Sequence, residues 1–207
     1  MTQYPVLLVP GWHDRARRLR RLERYLVKCS WPERAVHTVD FADRHGSNID
    51  HAAEIADALR ALAARNNAEH VDIVAHSMGG LAVRYLLHTR PERALVRRAV
   101  FLGTPHRGTY AAYFAWGAGG RDMRIGSPFL AELDRFMAPV SAELFCIRTP
   151  LDLRLIPPAR GRLPGAQNIT VWCGGHRMLL HSRRVWEVVT GVLRTTFALL
   201  VSCLLIG

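Results

Sequence analysis

The apolar run 71–75 ends without a break in His76-Ser77-Met78, and Gly79-Gly80 then opens a stretch with helical periodicity. Few backbones accept that order. A strand that turns straight into a helix holds its corner residue on a tight, strained turn, so the residues two before and two after it must be small. Ala75 and Gly79 meet that need. The corner serine then stands clear of the strand end, where successive backbone N–H groups and the positive end of a helix converge.

The rest of the chain supplies the setting such a corner requires. Strand patterns at 6–9, 36–40, 71–75, 99–102, 144–148 and 169–173 alternate with helical patterns at 15–28, 49–65, 79–88, 128–136 and 182–194. This alternation predicts an α/β fold, with a mostly parallel sheet of about six strands and helices on both faces. The second helix has a start signal at Ser47 or Asn48 and a stop at Asn66-Asn67. A chain of 207 residues allows one such domain, expected over 1–194. The connection 103–142 is longer than ordinary α/β loops and rich in glycine and aromatics. It is expected to form a small cap insertion, in which Tyr110, Phe114 and Trp116 either face a bound chain or only pack on the domain.

Composition excludes several alternatives. The net charge of +11 is carried almost wholly by arginine, Lys28 being the only lysine, without the aromatic interleaving of a nucleic-acid module. No nucleic-acid partner is expected. In the helix at 15–28 an apolar stripe of Ala16, Leu19, Leu22 and Leu26 leaves Arg17, Arg18, Arg20, Arg21 and Arg24 on wet faces. That pattern fits either a solvated surface or peripheral contact with an anionic membrane. Cys29, Cys146, Cys173 and Cys203 are scattered without metal-ligand or redox spacing, so no metal is expected, and Cys146 and Cys173 are expected as buried thiols. The amino terminus enters a strand at once with no signal-peptide pattern, which predicts a cytoplasmic protein. Residues 195–207 form an uncharged, largely apolar carboxy-terminal extension, too short to span a bilayer and suited to burial or membrane association.

With these residues in view, the sequence resembles the lipases of the α/β-hydrolase superfamily, especially the small Bacillus-type triacylglycerol lipases. Ala75-His76-Ser77-Met78-Gly79 is similar to their serine turn, and Gly103-Thr104-Pro105-His106-Arg107-Gly108 is similar to a segment of larger bacterial lipases. The resemblance spans residues 4–193 and implies the α/β-hydrolase fold, with Ser77 as nucleophile.

A serine hydroxyl must lose its proton as it attacks, so a base and an orienting acid are required, in the chain order serine, acid, histidine. Asp152, just beyond the strand at 144–148, stands where this fold puts the acid. His176, in Gly174-Gly175-His176 after the last strand, stands where it puts the base. His181, His88 and His106 are weaker rivals for the base, and Asp122 and Asp134 for the acid, since both fall in the expected cap. His76 is expected to diverge from Ser77 and serve structure. The resemblance also assigns an oxyanion hole to the backbone N–H groups of Met78 and Trp12. Where these lipases carry His-Gly before the second donor, this chain has Pro10-Gly11-Trp12. No cofactor is required by this chemistry.

The expected function is therefore hydrolysis of a carboxylic ester, with a small-molecule acyl ester or lipid as substrate. A thioesterase, amidase or acyltransferase shares the same fold and catalytic set, so these readings stand beside it. An inactive interaction protein is opposed by the complete set of serine, acid and histidine.

Overall fold

The structure, a computed structural model, describes residues 3–136 and 139–194. Six parallel strands, β1 (Val6–Val9), β2 (Val36–Thr38), β3 (Val71–His76), β4 (Val96–Leu102), β5 (Glu143–Arg148) and β6 (Gln167–Thr170), form one sheet in the order β2-β1-β3-β4-β5-β6. Around it lie α1 (Arg20–Lys28), α2 (Asn48–Asn66), α3 (Gly79–Thr89), α4 (Gly117–Asp122), α5 (Pro128–Arg135) and α6 (Arg183–Arg194).

Both faces of the sheet are covered, which is why its central strands read as unbroken apolar runs rather than alternating ones. Leu7, Val9, Ile73, Ala75, Ala99 and Phe101 point to one side, where Ile55 and Leu59 of α2 and Val83 and Leu86 of α3 pack on them. Leu8, Val74, Val100, Leu102 and Phe145 point to the other, against Leu22 and Leu26 of α1 and Val185 and Val189 of α6. A third cluster joins Met78 and Leu81 to Ala112, Ala115, Met123, Phe129, Leu130 and Leu133. Residues 112–133 of the long connection thus seat themselves on the start of α3, beside the serine turn.

The helix ends follow their capping residues. Ser47 accepts from the amide of Asp50 at the start of α2, and Asn67 closes that helix in the left-handed region at φ 47°. The predicted helix at 15–28 divides into a short 3-10 turn, Ala16–Arg18, and α1, with Leu19, Leu22 and Leu26 buried. Two strands are shorter than their patterns: β2 stops at Thr38, and β6 spans Gln167–Thr170 rather than 169–173. Both lie at sheet edges, where only one neighbour holds the ladder. Cys173 consequently leaves the sheet and is only half-buried, whereas Cys146 in β5 is buried as expected.

Helix α4, in Gly117-Ala118-Gly119-Gly120-Arg121-Asp122, carries no helical signal in its sequence, because glycine disfavours helix interiors. Packing overrides propensity there. A Cβ on Gly119 would lie 2.5 Å from the Met78 sulfur and 2.7 Å from the Gly46 carbonyl oxygen, so only a bare backbone approaches the serine turn that closely.

No helix among the described residues is long and apolar enough to cross a membrane. The apolar extension 195–207 lies outside the described residues.

Several arginines are structural. Arg98 is buried, donating to Glu143 at 3.0 Å and to the Val192 carbonyl at 2.5 Å. Arg97 grips the buried carboxylate of Asp72 through two hydrogen bonds, 2.8 and 2.5 Å, and also donates to the Leu193 carbonyl. Asp72 is the second residue of the strand that leads into Ser77, and burial pushes its carboxyl up against the opposing pull of Arg97. Removing one partner of a buried pair strands the other without solvent or counter-charge. Arg97→Ala is therefore expected to lower stability by about 3 kcal/mol in urea denaturation, and the double variant Arg97→Leu/Asp72→Leu by distinctly less.

Candidate active site

Because every strand runs the same way, the loops after β1, β3, β4, β5 and β6 leave from one edge of the sheet. They surround a cavity of about 450 Å³ whose wall includes Ser77, His76, His176, Trp12, Asp14 and Leu155. This is the carboxyl edge at which open α/β sheets bind ligands.

Ser77 sits between β3 and α3 with φ 53°, outside the usual range for a residue with a Cβ. Its amide donates to the Leu102 carbonyl at 2.9 Å, tying the turn to β4. The neighbouring chain is packed closely enough to hold it there. A Cβ on Gly79 would fall 2.2 Å from the Pro10 carbonyl oxygen, and one on Gly11 would fall 2.9 Å from Ser77 Cβ. The glycine expected two residues after the serine is thus required by loop 10–14 as well as by the turn itself.

Asp152 and His176, 24 residues apart, meet here: Oδ2 lies 2.7 Å from Nδ1. The second oxygen of Asp152 accepts from the amides of Arg154 at 2.9 Å and Leu155 at 2.8 Å. Burial opposes ionisation of this carboxyl, but the hydrogen bond and charge of His176 and the two amides outweigh it and hold its pKa below the ordinary carboxylate value. An ionised Asp152 fixes the imidazole with Nδ1 protonated, leaving Nε2 as the basic nitrogen. Ser77 and His176 line the same cavity, with Asp152 buried behind the histidine.

The two backbone donors named from the sequence come from the serine turn itself and from loop 10–14 packed against it. Met78 is buried at the first turn of α3, and Trp12 follows Gly11, which abuts Ser77. Among the described residues neither amide N–H meets an acceptor, as groups waiting for an external oxygen would not. The Trp12 indole donates to the Trp116 carbonyl at 3.1 Å, and the two rings meet edge to face at 4.7 Å. Loop 10–14 and segment 103–142 are thereby clasped across the cavity. Of the three candidate binding aromatics, Phe114 and Trp116 line the cavity and Tyr110 does not. Tyr110 begins a 3-10 turn whose first amide is tied to the Ile156 carbonyl, and its ring points to solvent.

The surroundings of His76 go beyond what its place beside Ser77 suggests. It is buried, yet it lines the cavity with its ring centre 4.8 Å from that of His176 and its Nδ1 3.6 Å from Asp14. Burial lowers its pKa. Asp14, also a cavity residue, accepts from Arg18 at 3.0 Å. Sequence reading missed Asp14, because nothing in Trp12-His13-Asp14 marks it before the loop is folded against β3.

Four of the five rival residues are engaged elsewhere. Asp122 accepts from the backbone and side chain of Asn48, and Asp134 from Arg84. His88 stacks on Phe136, and His106 is buried with Nε2 3.4 Å from the Cys146 sulfur. Among the described residues no group of three or more His, Cys, Asp or Glu is arranged to hold a metal ion.

Residues 5–139 match the palmitoyl protein thioesterase family. The chain belongs to that family. The match takes in β1, the serine turn and segment 103–136, and stops before Asp152 and His176, whose pairing stands on its own geometry. Among solved structures the chain is similar to the mature lipase BlEst2 of Bacillus licheniformis, with a TM-score of 0.78 and 17% identity over 92% of each chain. It is also similar to lipase B of Aspergillus fumigatus, with a TM-score of 0.79 and 17% identity over 93% of this chain and 53% of that one. A lipase-esterase related protein of Clostridium acetobutylicum superposes with a TM-score of 0.62 and 12% identity over 91% of this chain and 94% of that one. This thioesterase-family chain therefore has the lipase-like α/β-hydrolase fold expected from its sequence.

Burial of His106, with the Arg84 charge beside it, drives its pKa down to about 3 from an ordinary 6.5. An unfolded chain takes up this proton near pH 6.5 and the folded chain does not. The stability His106 permits is complete above pH 6.5 and drains away as pH falls towards 3, at up to about 1.4 kcal/mol per pH unit. His106→Gln is expected to flatten that part of the stability profile, read as urea midpoints measured across the same pH interval.

Proposed function

We propose that the chain is a serine acyl hydrolase in which Ser77, His176 and Asp152 act as a catalytic triad. The observation that carries this reading is the 2.7 Å bond between Asp152 and His176 at the wall of the cavity that Ser77 also lines. Ser77 Oγ attacks the acyl carbonyl as His176 Nε2 takes its proton, and Asp152 stabilises the resulting imidazolium. The amides of Met78 and Trp12 receive the oxyanion of the tetrahedral intermediate. That intermediate expels the alcohol or thiol, which leaves with the proton from His176, and an acyl-enzyme remains. Water, deprotonated by the same histidine, then releases the carboxylic acid and restores Ser77.

The acyl chain is assigned to the side of the cavity bounded by Phe114 and Trp116, where Ala111, Ala112, Ala115 and Met123 complete an apolar wall. Tyr110, outside the cavity, has no part in it. A lipid acyl ester is the substrate class this wall favours, since a long chain gains most from burial there. Membership of the palmitoyl protein thioesterase family supports a second reading, in which the bond cleaved is a thioester of a similar acyl group. The catalytic steps are the same, and only the leaving group differs.

Ser77→Ala is expected to lower kcat/KM on an acyl ester by on the order of 10⁵ or more and to abolish labelling by a fluorophosphonate probe. Asp152→Asn, which frees the imidazole to take the wrong tautomer, is expected to cost about 10⁴. Full activity in the purified Ser77→Ala protein would remove the reading. Comparing kcat/KM on an oxygen ester and a thioester of one acyl chain decides between the two substrates.

A further inference from the structure

Among the described residues, ten large hydrophobic side chains are exposed, and all but Ile49 belong to three loops. These loops follow β4, β5 and β6, leave the same edge of the sheet and form one lip of the cavity. Phe114, at 89%, is the most exposed on the first, Leu153, at 81%, on the second, and Trp172, at 64%, on the third. A soluble surface scatters such residues, and nine of them gathered on three loops at one sheet edge mark a place that something apolar covers.

The charges on this lip are one-sided. Residues 103–121 contain no Asp or Glu, and residues 149–178 contain only Asp152, which is buried against His176. Arg107, Arg154 and Arg177 are exposed on the same loops. The acidic groups across the mouth, Asp14 and Asp43, face Arg18 and His45. The arginine-rich helix α1 has the charge without the apolar component: Leu22 and Leu26 are buried, and none of its side chains is among the exposed large hydrophobics.

We propose that the loops after β4, β5 and β6 are the face by which this protein docks on an anionic lipid surface, with the cavity mouth turned towards the bilayer. Phe114, Leu153 and Trp172 enter the headgroup–acyl boundary while the arginines meet lipid phosphates. Neither contribution alone gives stable attachment, and both occur together on this face. A lipid acyl chain then passes from bilayer to cavity along an apolar lip rather than through water. Docking in this sense requires no chemistry at Ser77, so it is independent of the hydrolase reading.

The test uses the full chain carrying Ser77→Ala, to prevent turnover, in co-sedimentation with phosphatidylcholine vesicles with and without phosphatidylglycerol. Strong partitioning to the anionic vesicles, weak partitioning to the neutral ones and a steep fall with ionic strength are expected. Leu153→Ser/Trp172→Ser is expected to weaken partitioning by about tenfold or more, whereas Arg20→Gln/Arg21→Gln/Arg24→Gln on α1 keeps it within about twofold. As a readout free of folding effects, brominated lipid should quench tryptophan emission in the chain with native loops, Trp172→Phe should lower that quenching, and Trp116→Phe/Trp172→Phe should remove most of it. The proposal is overturned if the chain does not bind, if neutral vesicles serve equally, if the Leu153/Trp172 variant binds unchanged, or if only the α1 variant loses binding. With Ser77 intact, Leu153→Ser/Trp172→Ser should cleave a water-soluble short acyl ester as well as the unaltered chain. Vesicle binding without any cleavage by the unaltered chain would sink the hydrolase reading and leave the docking face standing.

Discussion

The close approach of three chain segments at Ser77 is the constraint on which the site depends. Loop 10–14 comes to within contact of the serine only because Gly11 and Gly79 present no side chain between them. β4 holds the turn from the other side through the Leu102 carbonyl. A strained φ at one residue costs of order 1–3 kcal/mol and persists only where the surroundings over-determine it. Here they do. The same close fit sets loop 10–14, which carries Trp12, against the turn that carries Met78, so the turn and its proposed oxyanion hole rest on one packing arrangement.

How much of this was legible in the sequence varied with the range of the forces involved. The sheet was legible because both of its faces are buried, which writes its central strands largely as apolar runs. The turn was legible because its steric demand falls on Ala75 and Gly79, neighbours along the chain. Fold order singles out Asp152 and His176, and the two side chains meet at 2.7 Å although 24 residues separate them. Helix α4 was hidden because what makes it helical is the fit of Gly119 against Met78 and Gly46, a tertiary contact that opposes local propensity. The position of His76 was hidden for the same reason: a rule about neighbours diverging on a turn says nothing of what the His176 loop packs against.

The arginine content acquires two physical meanings once folded. Arg97, Arg98 and Arg84 are fasteners, tying Asp72, Glu143 and Asp134 to distant backbone carbonyls. Guanidinium suits this work because its planar fork satisfies a carboxylate and a carbonyl at once, which an ammonium on a flexible stem does less well. Others lie on open surface, and their effect depends on their neighbours. On α1 they flank side chains already buried in the core. On the lip of the cavity they flank exposed Leu153 and Trp172, and charge and apolar surface act together.

His76 sharpens the electrostatics of the proposed mechanism. When His176 takes the serine proton it becomes a cation, with the ring of His76 4.8 Å away. A second positive charge at that separation would oppose the imidazolium by about 3 kcal/mol at an effective dielectric of about 20, enough to cancel the help of a good oxyanion donor. Burial prevents this: it disfavours the charged form of His76 and lowers its pKa, even with Asp14 nearby to attract a proton. The carboxylate of Asp14 meanwhile stays ionised, because the opposing effect of burial is outweighed by His76 and Arg18. A neutral ring packed against the proposed base, with the carboxylate of Asp14 between it and Arg18, leaves the positive charge on His176 facing Asp152 on one side and an uncharged ring on the other.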